Sequence, residues 1–458
     1  MRMLQRLVGL SLLVLGSSAA VAASALPLNV VVFVLDDVSA EDIGAYGNAG
    51  IRTPVMDRLA AEGWRFDNAF LSVSICSPSR ISLLTGRYPH STGARNLHEP
   101  LPAGQTLLSA HLRDAGYFTA SAGKWHMGDY ARRQFDRVME SSRPEQHQDW
   151  LRLVHERPRN KPFFLWLATY DAHRPFDAPI TLHGHSPEAV LVPAGLIDND
   201  ATRNDLAEYY AMIHRADMDI GLVLRLLERQ GVLQNTLVIV VGDNGRSFPW
   251  AKSYLYDAGL KTPLIVHWPE GLKANASAAL VSSVDIAPTV LELLGLSPSN
   301  AMQGESFAGL LAGRQSAHRD AVFAERNWRG IYPADARSVR TADYLYIRNY
   351  DVIADNCLGN DSGNPSAQSL VHANAVWMDA PLTHRCFPAL WPEEELYALS
   401  TDPDQQINRA TDPALNGVLE SMRQRLTDWQ RDTGDYRSVR YSPLTEQWCQ
   451  QHNQVGCH

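Results

Sequence analysis

Leu28-Asn-Val-Val-Val-Phe-Val-Leu-Asp-Asp37 is the stretch that decides the fold. From Leu28 to Leu35 it carries no charge and is rich in valine. A continuous apolar run, without polar alternation, is the pattern of a strand covered on both faces, as in a parallel sheet. The run stops at two adjacent carboxylates, Asp36 and Asp37.

Working outward, the same design recurs. Thr53-Pro54 opens a helix and Gly63 stops it. Leu107–Ala115 reads as a helix closed by Gly116, and Tyr117–Ala122 as a strand running into Gly123-Lys124-Trp125-His126. Pro162–Thr169 is a strand leading to Asp171-Ala172-His173. Residues 202–230 have helical periodicity, with Leu206, Tyr210, Ile213 and Met218 on one side. Thr236–Val241 is a strand ending at Gly242-Asp243-Asn244-Gly245, and Pro263–Trp268 is another. Strands alternating with helices predict a doubly wound, mostly parallel α/β sheet. The polar motifs follow the strands, at the carboxyl edge where such sheets bind ligands.

The texture changes near residue 320. Short strands at Val322–Glu325, Tyr344–Asn349 and Leu396–Leu399, then a helix over Ala414–Arg431, predict a smaller antiparallel sheet with a helix on it. The expected division is therefore a catalytic α/β domain over residues 23–320 and a smaller subdomain over 321–458.

A chain of 458 residues suits one large and one small unit. A net charge of −9 gives no reason to expect a nucleic-acid partner. Arg2 and Arg6, the apolar run Leu7–Leu15 and Ala20-Val21-Ala22 read as an export signal over residues 1–22, which predicts a periplasmic or secreted protein. No later segment has the apolar length of a membrane span. Of five cysteines, Cys76 stands apart, and the other four are even in number. Three pairings are open to them; the short loops favour Cys357–Cys386 and Cys449–Cys457.

Several residue types converge on anion chemistry. Asp36, Asp37 and Asp243 could share a site only if a cation offset their mutual repulsion. With Asn244 they form a hard-oxygen set suited to Ca²⁺ or Mg²⁺. Cys76-Ser-Pro-Ser-Arg80 places a thiol at a helix N-terminus, with Pro78 in the first turn and Arg80 one turn on. Lys124 and His126, on an extended stretch, would point the same way. His173 and Lys252 sit just beyond strand ends.

The order Asp-Asp, Cys-x-Pro-x-Arg with Thr85-Gly86, Gly-Lys-x-His, Asp-x-His, Asp-Asn-Gly and Lys252-x-x-x-Tyr256 resembles the type I sulfatases from about residue 28 to the C-terminus. Ser72–Arg80, Asp243–Pro249, Glu395-Leu-Tyr397 with Asp402-Pro403, and the late cysteine pair resemble the heparan N-sulfatase (sulfamidase) branch of that family. That branch carries arginine at the place of Lys252. The resemblance implies an alkaline-phosphatase-like fold and conversion of Cys76 to formylglycine by a maturation machinery. It implies Ca²⁺ held by Asp36, Asp37, Asp243, Asn244 and residue 76, with Arg80 and Lys124 on the aldehyde hydrate and His173 and Lys252 on the sulfate. One hydroxyl of the hydrate would attack sulfur with help from Asp243. His173 or Lys252 would protonate the leaving group, and His126 would take the proton of the second hydroxyl. Sulfated saccharides are the implied substrates, N-sulfated glucosamine first and O-sulfated polysaccharides second. A phosphatase or phosphodiesterase, or a glycan-binding protein with a dead site, are the competing readings.

Overall fold

The apolar run forms β1 (Asn29–Leu35), and all of it is buried. The computed structural model describes residues 27–435 except 142, 144–145, 181–183, 330–331, 352–356, 359–361, 377–385 and 388–390. The expected leader and the Cys449–Cys457 pairing lie outside these residues. The other strands of the large sheet are β2 (Trp64–Phe70), β3 (Phe118–Gly123), β4 (Arg137–Met139), β5 (Phe163–Ala168), β6 (Thr236–Gly242), β7 (Leu264–His267) and β8 (Asn275–Ser282). Their order is β4-β3-β5-β1-β6-β7-β2-β8.

β1 lies between β5 and β6, parallel to both. One apolar cluster lies on each face of the sheet: Val31, Phe33 and Leu35 join one, Val30, Val32 and Val34 the other. That two-sided cover is why β1 shows no polar alternation. β7 departs from the expected parallel pattern, running antiparallel to β6 and β2. Neither β2 nor β8 is anticipated by the sequence reading. β2 mixes buried and half-buried positions, and the first residues of β8 are exposed.

The long helix spans Asp200–Arg229, with Leu206, Tyr210 and Ile213 buried as expected. Met218 is instead 50% exposed. Five residues past Ile213, it has turned about 140° off the apolar stripe. Asp217 takes the buried place, accepting from the amides of Val55 and Met56 at 3.0 and 2.7 Å. It thereby caps the Pro54–Glu62 helix, for which Thr53 makes no side-chain cap.

The second sheet runs β12-β11-β10-β9 with antiparallel pairing throughout: β9 (Val322–Arg329), β10 (Tyr332–Arg340), β11 (Tyr344–Asn349) and β12 (Glu394–Ala398). The helix Asn416–Thr433 buries Leu419, Met422, Leu426 and Trp429 against Val339, Tyr346 and Leu396 of that sheet. Cys357 and Cys386 form the expected disulfide. No helix among the described residues is long and apolar enough to cross a membrane.

Candidate active site

The site grows from the carboxyl edge of the large sheet. The β1–β6 register, Leu35 opposite Gly242, brings Asp36 and Asp243 side by side. The ladder continues past the strands: Asp243 N–H donates to Leu35 O at 3.0 Å and Asp36 N–H to Asp171 O at 3.1 Å. Gly123 closes β3 with φ 90°, and a Cβ there would sit 1.9 Å from Ala168 O. Only glycine lets the chain turn there to present Lys124. Gly245 is equally constrained: a Cβ would meet Ala258 O at 2.3 Å. Its role is close approach to the short helix Asp257–Leu260.

Cys76 begins a helix, Cys76–Thr85, that is buried along its whole length. Its Sγ lies 3.7 Å from Asp36 Oδ1. One turn on, the buried Arg80 donates from Nε to Asp243 Oδ2 at 2.8 Å and from Nη1 to Lys124 O at 2.9 Å. Lys124 Nζ meets Asp36 Oδ2 at 2.5 Å, and Lys252 Nζ meets Asp37 Oδ1 at 2.8 Å. Three carboxylates and three cations are thus paired around one thiol. Asp37 holds a left-handed backbone, φ 60°. Strain of this kind in a non-glycine residue collects at functional sites.

The electrostatics follow from burial and pairing. Burial opposes the Asp36 charge, but Lys124 and then Arg80 outweigh it and hold the carboxyl well below its usual range. For Asp243 burial wins over Arg80, and its value is raised. Burial pushes the Cys76 thiol up to about 12. As encoded, this cysteine is a poor thiolate nucleophile.

Asp36, Asp37, Cys76 and Asp243 bring one ligand atom each to within 4.8 Å of the others, all buried. Asn244 donates from Nδ2 to Asp37 Oδ1 at 2.6 Å, while its Oδ1 is buried with no hydrogen-bond partner among the described residues. An orphaned buried acceptor beside clustered carboxylates fits a divalent cation held by hard oxygens.

The structure thus brings together Asp36, Asp37, Cys76, Arg80, Lys124, Asp243, Asn244 and Lys252. His173 lies near enough to lower the Asp36 value, and its Nδ1 lies 2.6 Å from Arg174 O. Asp171 of the Asp-x-His motif points away, accepting from Arg215 Nε and Nη2 at 2.8 and 2.7 Å. The expected extended stretch at Lys124–His126 is corrected: His126 has φ 58°, so its ring does not project in parallel with Lys124. It reaches His98 instead, Nε2 to Nδ1 at 2.6 Å. The sequence reading misses His98, and also Tyr170, whose ring lies 6.0 Å from Lys124 Nζ. No spacing ties either residue to the motifs.

The profile of the family described as Sulfatase matches residues 28–296. The chain belongs to the sulfatase family. As a member it is an enzyme, a hydrolase of sulfuric esters or sulfamates. A second profile, for the C-terminal part of N-sulphoglucosamine sulphohydrolase, matches residues 246–375 of the sulfatase. It is 32% identical to human N-sulphoglucosamine sulphohydrolase, over 89% of this chain and 91% of that protein. It is 29% identical to an ulvan-active sulfatase of Formosa agariphila, over 88% of this chain and 76% of that protein. Among solved structures, one in complex with its substrate D-glucosamine-2-N,6-O-disulfate superposes with a TM-score of 0.71 at 20% identity, covering 89% of this chain and 98% of that one. A phosphonate monoester hydrolase of Agrobacterium radiobacter reaches 0.70 at 18% identity, covering 89% and 96%. These likenesses establish the alkaline-phosphatase-like fold. The two superpositions bear on the fold alone, because one scaffold hosts both sulfur and phosphorus chemistry.

Proposed function

We propose that the protein is an exported, formylglycine-dependent, Ca²⁺-dependent sulfatase that removes N-linked sulfate from glucosamine-containing saccharides. The observation that carries the mechanism is the pairing of Asp36, Asp37 and Asp243 with Lys124, Lys252 and Arg80 around Cys76. Balanced in themselves, these groups become net positive with a divalent cation and so suit a sulfate anion. Burial keeps the encoded thiol protonated, which supports a precursor role for Cys76. The N-sulfate preference is supported by the C-terminal profile and the 32% identity to the human enzyme.

Asp36, Asp37, Asp243, Asn244 and residue 76 would hold the cation. When present, the cation supplies Lewis acidity and the aldehyde hydrate supplies the nucleophilic oxygen. Arg80 and Lys124 orient the oxygens of residue 76, and Lys252 neutralises sulfate charge. Asp243 would receive a proton as the nucleophile attacks. His173 donates from Nδ1 to the Arg174 carbonyl, and a second proton carried on Nε2 would pass to the departing amine or alcohol. His126 takes a proton at Nδ1 as sulfate leaves.

The test is co-expression with a formylglycine-generating machinery, mass spectrometry of the residue-76 peptide, and assay on defined N- and O-sulfated sugars and phosphate monoesters. Sulfate release from N-sulfoglucosamine by aldehyde-bearing protein is expected. No sulfate from any sugar, or faster phosphate release, would overturn the reading. Cys76→Ala should keep the fold and bind Ca²⁺ without turnover. A second reading, an O-sulfatase on a sulfated polysaccharide, is favoured by the 29% identity to the ulvan-active enzyme; ulvan oligosaccharides in the same screen separate the two.

A further inference from the structure

His126 has a neighbour that the chemistry above does not use. His98 Nδ1 lies 2.6 Å from His126 Nε2, and the ring centroids are 4.7 Å apart. Both residues hold left-handed backbone, φ 68° for His98 and 58° for His126. The loop that carries His98 is pinned to the site. Its amide donates to Ser77 Oγ at 2.8 Å, on the helix that begins with Cys76. The amides of Arg95 and Asn96 donate to the buried Glu99 carboxylate at 2.5 and 2.8 Å. His98 is itself exposed, whereas His126 Nδ1 is buried with no hydrogen-bond partner among the described residues.

We infer that His98 is a positioning residue that fixes the tautomer of His126, leaving His126 Nδ1 as the bare lone pair that accepts a proton in the reaction. The inference rests on the reading of His126 as a proton acceptor. One hydrogen lies on the line between the two rings. If His98 supplied it, the hydrogen of neutral His126 would sit on Nδ1, a buried donor without an acceptor. If His126 supplies it from Nε2, only a lone pair is buried, and unpaired acceptors are tolerated better than unpaired donors. Burial, with Lys124 next, lowers the His126 value to about 2, so the resting ring is neutral. When a proton from the reacting hydroxyl arrives at Nδ1, the Nε2 hydrogen stays bonded to His98 Nδ1, which keeps the ring oriented. Proton count balances: one enters at Nδ1, and the same one leaves from Nδ1 when the ring resets. The arrangement parallels the carboxylate that orients the histidine of a catalytic triad, with an imidazole in its place.

The test is a long-range ¹H–¹⁵N correlation on the full chain labelled with ¹⁵N-histidine. His126 should show a protonated Nε2 and an unprotonated Nδ1. His98→Ala should give mixed tautomers, and His98→Gln, whose carbonyl oxygen can accept the same hydrogen, should restore one. In matured enzyme His98→Ala should lower kcat about 10- to 100-fold with KM little changed, and His98→Gln should recover most of it. A wild-type His126 protonated at Nδ1, or a tautomer unchanged in His98→Ala, overturns the inference. The spectrum needs no turnover. Enzyme that releases no sulfate would sink the functional reading while the tautomer result still decides the role of His98.

Discussion

Arg80→Met removes the cation on which the buried Asp243 depends. Both side chains are fully buried, and the guanidinium also serves the carbonyl of Lys124. Breaking a buried ion pair by deleting one partner costs about 3–5 kcal/mol, because the other charge is left uncompensated. The orphaned carbonyl adds about 1 kcal/mol or more. A loss of about 4–6 kcal/mol follows in chelator, where no cation can substitute. A chain of 458 residues has an unfolding entropy of about 1 kcal/mol/K, so the melting temperature should fall by about 4–6 °C. Adding Asp243→Asn should recover about half of it, since the orphaned charge then disappears. The pH dependence has a defined sign. Burial already raises Asp243, and without Arg80 it rises further. The folded state then binds more protons than the unfolded state, so the deficit relative to wild type shrinks as pH falls from 7 towards 5. The assay is calorimetry of wild type, both single variants and the double variant at both pH values. A deficit under about 1 °C at pH 7, or one that is the same at both pH values, refutes the reasoning.

Three further outcomes are expected. Ca²⁺ at about 100 times its dissociation constant should stabilise chelated protein by about 2.7 kcal/mol in thermal melts, and Asn244→Leu should remove most of that gain. Lys252→Ala should reduce kcat/KM by about 10²- to 10³-fold in sulfate-release assays, with Lys252→Arg retaining most activity. Asp285 is held below the usual range; burial opposes this, but Arg319, at 2.7 and 2.5 Å, outweighs it. Its contribution is present above the unfolded value of about 3.9 and lost as pH falls below it. Asp285→Asn should therefore lower stability at pH 6 and flatten the acid limb of a urea-midpoint profile.

The carboxylates of the site were legible because each follows a strand buried on both faces. The runs before Asp36 and Asp243 are long, branched and uninterrupted, so their ends are plain, and the sheet rule places those ends together. Arg80 was legible through helical spacing from Cys76. The antiparallel β7 was not: four buried residues carry no mark of direction. The exposure of Met218 was not legible: apolar character alone does not decide burial, and Asp217 is drawn inward by two orphan amides of a helix far away in sequence. Parallel side chains at Lys124 and His126 do not form because His126 holds φ 58°, which nothing in the local sequence announces.

The sequence by itself determined the family, the parallel core, the carboxylates at the strand ends and the thiol among them. Local pattern carries those features, since strand burial, helix spacing and residue chemistry act within a few positions. Only the tertiary structure decided who pairs with whom: Arg80 with Asp243, Lys124 with Asp36, Lys252 with Asp37, and His98 with His126. Such pairings depend on register and loop path over tens to hundreds of residues. Several local sequences are compatible with each, and packing at the sheet edge selects one.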